Sequence, residues 1–155
     1  MKLTLTVAVV VALLDQLTKA LIAAHLAPGE TIVVTPFLQL VTLYNPGAAF
    51  SLLAQASGWQ RPLLLLLAVA VSIWLLWQAR QTANRRAQIA FGLILGGALG
   101  NAWDRLVHGA VHDFLLLHYR QWAWPAFNLA DSAITVGVLL LFWYLKGHSD
   151  DRSHP

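Results

Sequence analysis

Two carboxylates stand out by their surroundings. Asp113 sits in "GAVHDFLLL", an otherwise apolar stretch with no adjacent basic residue except His112 and, further off, Arg105. Asp131 sits in "FNLADSA" at the head of the apolar run "ITVGVLLLFWYL", with no basic residue until Lys146. Taken singly, Asp131 reads as a helix N-cap, because a short acid accepts a free backbone N–H there and the helix macrodipole favours an anion. Two acids on successive elements facing one small dry site would behave differently. They cannot both ionise, so one pKa rises strongly. One then serves as general base and the other as general acid, as in the aspartic-protease pair. The spacing leaves cap and dyad both open.

Other polar residues interrupt apolar sequence. Asp15 and Lys19 are four apart with the acid first, which places them on one helix face in the favourable order. The preferred reading is an ion pair that neutralises itself and anchors its helix near the outer interface. Gly92, Gly96 and Gly100 recur every fourth residue and make a stripe where another helix can approach closely. Asp104 continues that stripe, and Asn101 and Arg105 form a second pair one step around the helix. A structural Asp104–Arg105 network and a substrate-positioning group are both compatible with this pattern. A metal site built from Asp104, His108, His112, Asp113 and His118 would need the helix to continue beyond the interface past Gly109, and no HExxH pattern is present. The expectation is no metal and no cofactor. Ser51, Ser57, Ser72 and Ser132 lack a nucleophile elbow or a Ser-Lys pairing.

The elements that must position these residues are membrane elements. Of 155 residues, 58% are hydrophobic and 11% charged, against roughly 45–50% and about 25% in soluble domains. Without cysteine, disulfides and thiolate chemistry are excluded. The basic residues are scattered, so no nucleic-acid footprint is present. Measured against the roughly 17–25 residues of a membrane-crossing helix, four spans are expected, at about 3–26, 62–79, 87–103 and 128–145. Pro62 suits a first helical position. The N-terminus could be a cleaved signal peptide, but no Ala-x-Ala site follows and Asp15 and Lys19 intervene, so a retained span is expected.

Four spans put both termini on one side, together with Lys2, Lys146, Arg152 and the loop arginines Arg80, Arg85 and Arg86. Arg61, Arg105 and Arg120 fall opposite. The positive-inside rule makes the termini cytoplasmic, including the solvated tail "GHSDDRSHP". The connections 27–61 and 104–127 then face outward. "TIVV" and "FLQLVTLY" are strand-like and predict a small strand-bearing element ending in the "NPGAAF" turn. Trp59, Trp103, Trp122 and Trp124 suit headgroup level. The fold class expected is an all-α integral membrane protein, one domain over residues 1–155, carrying a small extracytoplasmic strand element.

Five motifs occur in order along nearly the whole chain: "DQLTK", "YNPGAAFSLL", "GGALGNAWDR", "GAVHDF" and "PAFNLAD". Together they resemble lipoprotein signal peptidase, or signal peptidase II. The resemblance implies a bacterial inner-membrane aspartyl endopeptidase with four transmembrane helices. Its implied substrate is a prolipoprotein whose lipobox cysteine carries a diacylglyceryl group, cleaved just before that cysteine. Carried over, the catalytic pair is Asp113 and Asp131. Asn45, Gly47, Asn101, Arg105 and Asn128 fall on positions supporting substrate or dyad, and Asp15, Lys19 and Asp104 on further polar motif positions. The residue before the first acid, commonly Val in the family, is His112. Membrane lipid is the expected surrounding, and a monomer the expected state. A rival of another class is a small transporter or assembly subunit with a polar relay, which would spread Asp15, Asp104, Asp113 and Asp131 across membrane depth.

Overall fold

Long runs of Leu, Ala and Val, with few residues that compete for backbone hydrogen bonds, favour helix. The computed structural model, which describes residues 1–47 and 58–150 with side chains to Lys146, accordingly has four long helices. They are α1 (Lys2–His25), α2 (Gln60–Gln81), α3 (Arg85–His108) and α4 (Leu129–Asp150). Four strands lie between them: β1 (Thr31–Thr35), β2 (Leu38–Asn45), β3 (Val111–Tyr119) and β4 (Trp122–Ala123). The strand expectations for "TIVV" and "FLQLVTLY" match β1 and β2. Of the "NPGAAF" turn, residues 48–50 lie outside the described residues, as do Ser51, Ser57 and the last five residues of the tail.

Two helix boundaries correct the sequence reading. Pro62 is the third residue of α2 rather than its first, a position where its missing N–H still costs nothing because the first four helical N–H groups have no intrahelical acceptor. α3 runs beyond residue 103 to His108 and stops at Gly109, whose φ of 79° is the left-handed conformation glycine adopts without strain. At its other end the Asn84 side chain accepts from the N–H groups of Arg86 and Ala87.

α3 is the centre of the bundle. A Cβ on Gly96 would lie 2.6 Å from the Ala8 carbonyl, and one on Gly92 2.7 Å from Val7 Cβ, so the glycine stripe is where α1 packs. Both sequences advance in the same direction along this contact, so α1 and α3 are parallel. Gly97 meets the Ala130 carbonyl, while Gly137 meets Ala90, which makes α4 antiparallel to α3. α2 returns as an antiparallel hairpin through Leu75, Ala79, Ala87 and Phe91. Among the described residues, three helices are long and apolar enough to cross a membrane: α1, α2 and α4 over Leu129–Lys146, with mean hydropathies of 1.9, 2.1 and 1.5. The expected span 87–103 is helical, but α3 is not of that kind. It carries Asp104 with Arg85, Arg86 and Arg105, and its buried Ala87, Phe91, Ile94 and Leu95 cluster with Ala8 of α1 and Leu75 and Ala79 of α2.

The sheet has the order β1-β2-β3-β4 and is antiparallel throughout. β2 and β3 pair with Leu43 opposite Asp113, Tyr44 opposite His112 and Asn45 opposite Val111, after a register shift between Leu40 and Leu43. Phe127 then clamps the approach to α4. Its N–H donates to the Leu115 carbonyl at 3.0 Å, and its own carbonyl accepts from Leu115 at 2.8 Å. The sheet therefore connects the end of α3 to the start of α4.

Candidate active site

The first turn of α4 is held by a reciprocal cap. Asn128 is the capping residue: its Oδ1 accepts from the Asp131 N–H at 2.9 Å, while the Asp131 carboxylate accepts from the Asn128 N–H at 3.2 Å. This is a capping box with an acid in the position usually held by Glu or Gln. Asp131 is therefore not the N-cap considered from sequence. The cap is Asn128, and Asp131 lies one turn in, where its second oxygen is free for another partner. That partner is Asn101 of α3, whose Nδ2 donates at 2.8 Å.

Asp113 arrives from the sheet. Its buried carboxylate accepts from Asn128 Nδ2 at 2.7 Å, and the Asn45 side chain, on the neighbouring strand, also hydrogen-bonds it. Asn128 is completely buried and touches both acids, which places Asp113 and Asp131 on either side of one amide. Burial, and then the negative charge of Asp131, push the Asp113 carboxyl up to about 7; the Asn128 and Asn45 hydrogen bonds and the Lys19 charge oppose this. Both acids line a cavity of about 620 Å³, with Asn45, Asn101 and Arg105 on its polar side and Val111, Leu117, Trp124, Phe127, Ile134 and Val136 among its apolar walls.

Arg105 Nη2 donates to the Gly47 carbonyl at 2.7 Å and Nη1 to the Asn101 carbonyl at 3.3 Å, while its buried Nε has no partner among the described residues. The Gly47 N–H in turn donates to Asn45 Oδ1 at 2.9 Å. Arg105 thus ties the end of β2 to the cavity. Asp104, next to it in sequence, points elsewhere. Its carboxylate binds Lys19 at 2.7 Å, Gln16 at 2.9 Å and the His112 N–H at 3.2 Å. Consecutive residues project about 100° apart around a helix, so the Asp104–Arg105 network considered from sequence divides into two separate contacts.

The Asp15–Lys19 pair is present at 2.8 Å, but it is not self-contained as the sequence suggested. Asp15 also accepts from the Ala130 N–H at 3.0 Å, an anion at the N-terminus of α4 where the macrodipole favours it. Gly100 leaves room for that carboxylate. Lys19 reaches Asn101 Oδ1 at 3.1 Å. Gln16, which donates to Asp104 and to the Gly100 carbonyl, was missed by sequence reasoning; its place between Asp15 and Lys19 in "DQLTK" was the available signal.

Strand alternation turns His112 away from Asp113. It stacks on Tyr44 with ring centroids 5.2 Å apart and lines a separate cavity with Lys19, Asp104 and His108. Burial lowers its pKa, with Lys19 acting in the same direction and Asp104 against it. A neutral imidazole on the far face leaves the carboxylate pair without an added cation. Among the described residues, no three His, Asp or Glu side chains gather as a metal-holding set.

The arrangement provides two acids, Asp113 buried and Asp131 half-buried, amide donors that hold them, and an apolar-walled cavity in front. The signal peptidase (SPase) II family profile matches residues 7–146. The chain is 50% identical over 140 residues to the lipoprotein signal peptidase of Polynucleobacter necessarius subsp. necessarius (strain STIR1), covering 90% of this chain and 86% of that one. To the lipoprotein signal peptidase of Azoarcus sp. (strain BH72) it is 55% identical over 131 residues, covering 84% and 74%. A solved bacterial membrane enzyme, determined by the in meso method at 2.3 Å, superimposes with a TM-score of 0.88 at 31% identity over 100% of this chain and 94% of that one. The chain belongs to the signal peptidase II family.

Proposed function

We propose that this chain is an aspartyl endopeptidase that removes the signal peptide from diacylglyceryl-modified prolipoproteins, cleaving before the lipidated cysteine, with Asp113 and Asp131 as its catalytic pair. The observation that carries this reading is the opening of both carboxylates into a single cavity with apolar walls, the buried Asn128 holding Asp113 through its side-chain Nδ2 and Asp131 through its backbone N–H. A relay spread across membrane depth has no counterpart in that grouping.

In the reaction, a water between the acids is the nucleophile. Asp131, in the first turn of α4 and receiving two N–H donors, takes a proton from the water as it attacks the scissile carbonyl. Asp113, held near pH 7 by burial and by its charged neighbour, gives its proton to the developing oxyanion. As the tetrahedral intermediate, now carrying two hydroxyls, collapses, the proton held by Asp131 passes to the leaving amine of the cysteine and the C–N bond breaks. One hydroxyl returns its proton to Asp113, which re-forms the C=O and restores the pair. The products are a free carboxyl on the signal peptide and a free α-amine on the lipidated cysteine. The unpartnered Arg105 Nε is available to a substrate carbonyl, and Asn101, Asn128 and Asn45 keep the acids in position.

Placement follows from the same elements. α1 and α4 are apolar enough to cross a membrane, and α3 lies alongside both, parallel to α1. On this reading all four helices span the bacterial inner membrane, with α3 shielded by its neighbours. The arginine distribution puts both termini in the cytoplasm. Met1 Sδ lies 3.3 Å from Arg80 Nε, which supports a shared end for the N-terminus and the α2–α3 loop. The acids then sit near the outer leaflet, where a diacylglyceryl chain can remain in lipid while its peptide enters the cavity. One domain acting as a monomer suffices for this site.

The test is incubation of purified enzyme in lipid with a diacylglyceryl-modified prolipoprotein and with its unmodified form. Cleavage of the modified form alone is expected; equal cleavage of both would remove the lipid from the proposal. Asp113→Asn and Asp131→Asn each abolish processing while the protein still inserts, and full activity in either variant would end the dyad assignment.

A further inference from the structure

The proposed reaction leaves Lys19 unused, although it is among the most buried charges in the molecule. Its residue exposure is 4%. An ammonium has three N–H donors and no acceptor, and each donor is taken: Asp15 Oδ2 at 2.8 Å, Asp104 Oδ2 at 2.7 Å and Asn101 Oδ1 at 3.1 Å. The third contact has a consequence the other two lack. A side-chain amide presents oxygen at one end and nitrogen at the other, and only oxygen can face an ammonium. Asn101 must therefore turn Nδ2 the other way, onto Asp131 Oδ1 at 2.8 Å.

The constraint passes on to a second amide. Asn101 Oδ1 also accepts from Asn128 Nδ2 at 3.2 Å, so Asn128 presents nitrogen on that side. The same nitrogen donates to Asp113 Oδ1 at 2.7 Å, leaving Asn128 Oδ1 to accept from the Asp131 N–H at 2.9 Å. We propose that Lys19 is a positioning residue that locks the orientation of both active-site amides, so that each dyad carboxylate meets N–H rather than C=O. This rests on the reading of Asp113 and Asp131 as the catalytic pair. If Asn101 turned over, its carbonyl would face Asp131 Oδ1, and only a protonated acid could remain there. The pair would then lack a base at the pH where it is needed.

A simpler role for Lys19 is to neutralise Asp15 and Asp104. That role does not involve Asn101, so the two are separable by experiment. Lys19→Met/Asp104→Asn removes one positive and one negative charge together, which avoids stranding an extra buried carboxylate. Steady-state rates on a diacylglyceryl-modified prolipoprotein are measured across pH in this variant, in Asn101→Ala, and in the combination of the two, with thermal unfolding recorded for each.

The expected result is a kcat lowered about ten- to a hundredfold with KM little changed, the size of one hydrogen bond to a charged group. The acidic limb of kcat moves up by about one to two pH units. In the Asn101→Ala background the Lys19 change moves the limb no further. An unmoved limb in a folded variant, or the same shift with and without Asn101, overturns the proposal. If the double variant does not fold, Lys19→Gln serves instead, because its amide can turn either end toward Asn101. It is expected to shift the limb part of the way, and a wild-type limb there also overturns the proposal. Asp131→Asn separates the two ideas: an active Asp131→Asn ends the dyad reading, whereas an inactive one with an unmoved Lys19 limb ends only this inference.

Discussion

At the scale of single residues, the proposed chemistry turns on which groups share Asn128. This amide donates to Asp113, accepts from the Asp131 backbone and caps α4. Asn128→Ala should lower stability by about 1–2 kcal/mol through the lost cap and reduce kcat more than that loss alone implies, as checked by thermal unfolding beside steady-state kinetics. The pH dependence follows from Asp113. Its carboxyl is raised from 3.8 to about 7, so the folded protein binds this proton more tightly than the unfolded chain. The associated stability is present below pH 3.8 and is lost as pH rises through about 7. On the proposed mechanism activity needs one proton on the pair, so kcat/KM should fall on the alkaline side near pH 7. A pH–rate profile flat through pH 8 would contradict that assignment of the proton.

At the scale of elements, α3 sets the distance between the acids by having almost no side chain on two faces. Gly96 admits α1 and Gly97 admits α4 at the Ala130 carbonyl, one residue before Asp131. Gly97→Ala should therefore push the head of α4 away, costing about 1–3 kcal/mol from overpacking and disproportionately lowering kcat. Leu99→Ala, on a surface 45% exposed, is the comparison expected to leave both nearly unchanged. Gly97→Ala with wild-type kcat would show that the acids tolerate displacement of α4. The sheet contributes the other half of the geometry. The β2–β3 register places Asn45 beside the strand that carries Asp113, and Phe127 joins that strand to the start of α4.

At the scale of the whole molecule, the topology predicts which surfaces face each side. Because the chain lacks cysteine, single replacements give a clean accessibility measurement. Trp122→Cys, on the exposed β4, should react with an impermeant thiol reagent added outside intact cells whose outer barrier is opened. Ala83→Cys, in the α2–α3 loop, should react only after the inner membrane is breached. The reverse pattern would invert the proposed orientation. A chain with α1, α2 and α4 exposing large apolar faces needs lipid around it in either orientation.

Much of this was legible from residue order alone, for physical reasons. Helix periods and apolar run lengths do not depend on distant contacts, so four helices, the β1–β2 hairpin and the polar positions Asp15, Lys19, Asn101, Asp104, Asp113 and Asp131 could be located in the sequence. The motif order was specific enough to indicate the family. Pairings could not be read this way, because they depend on how helices rotate against one another. Only the tertiary structure separated Asp104 from Arg105, turned His112 to the far side of β3, and made Asn128 rather than Asp131 the cap. Only it joined Lys19 to Asn101 across two helices. Local sequence determines which side chains an element carries, while close packing at Gly96, Gly97 and Gly100 decides which of them meet.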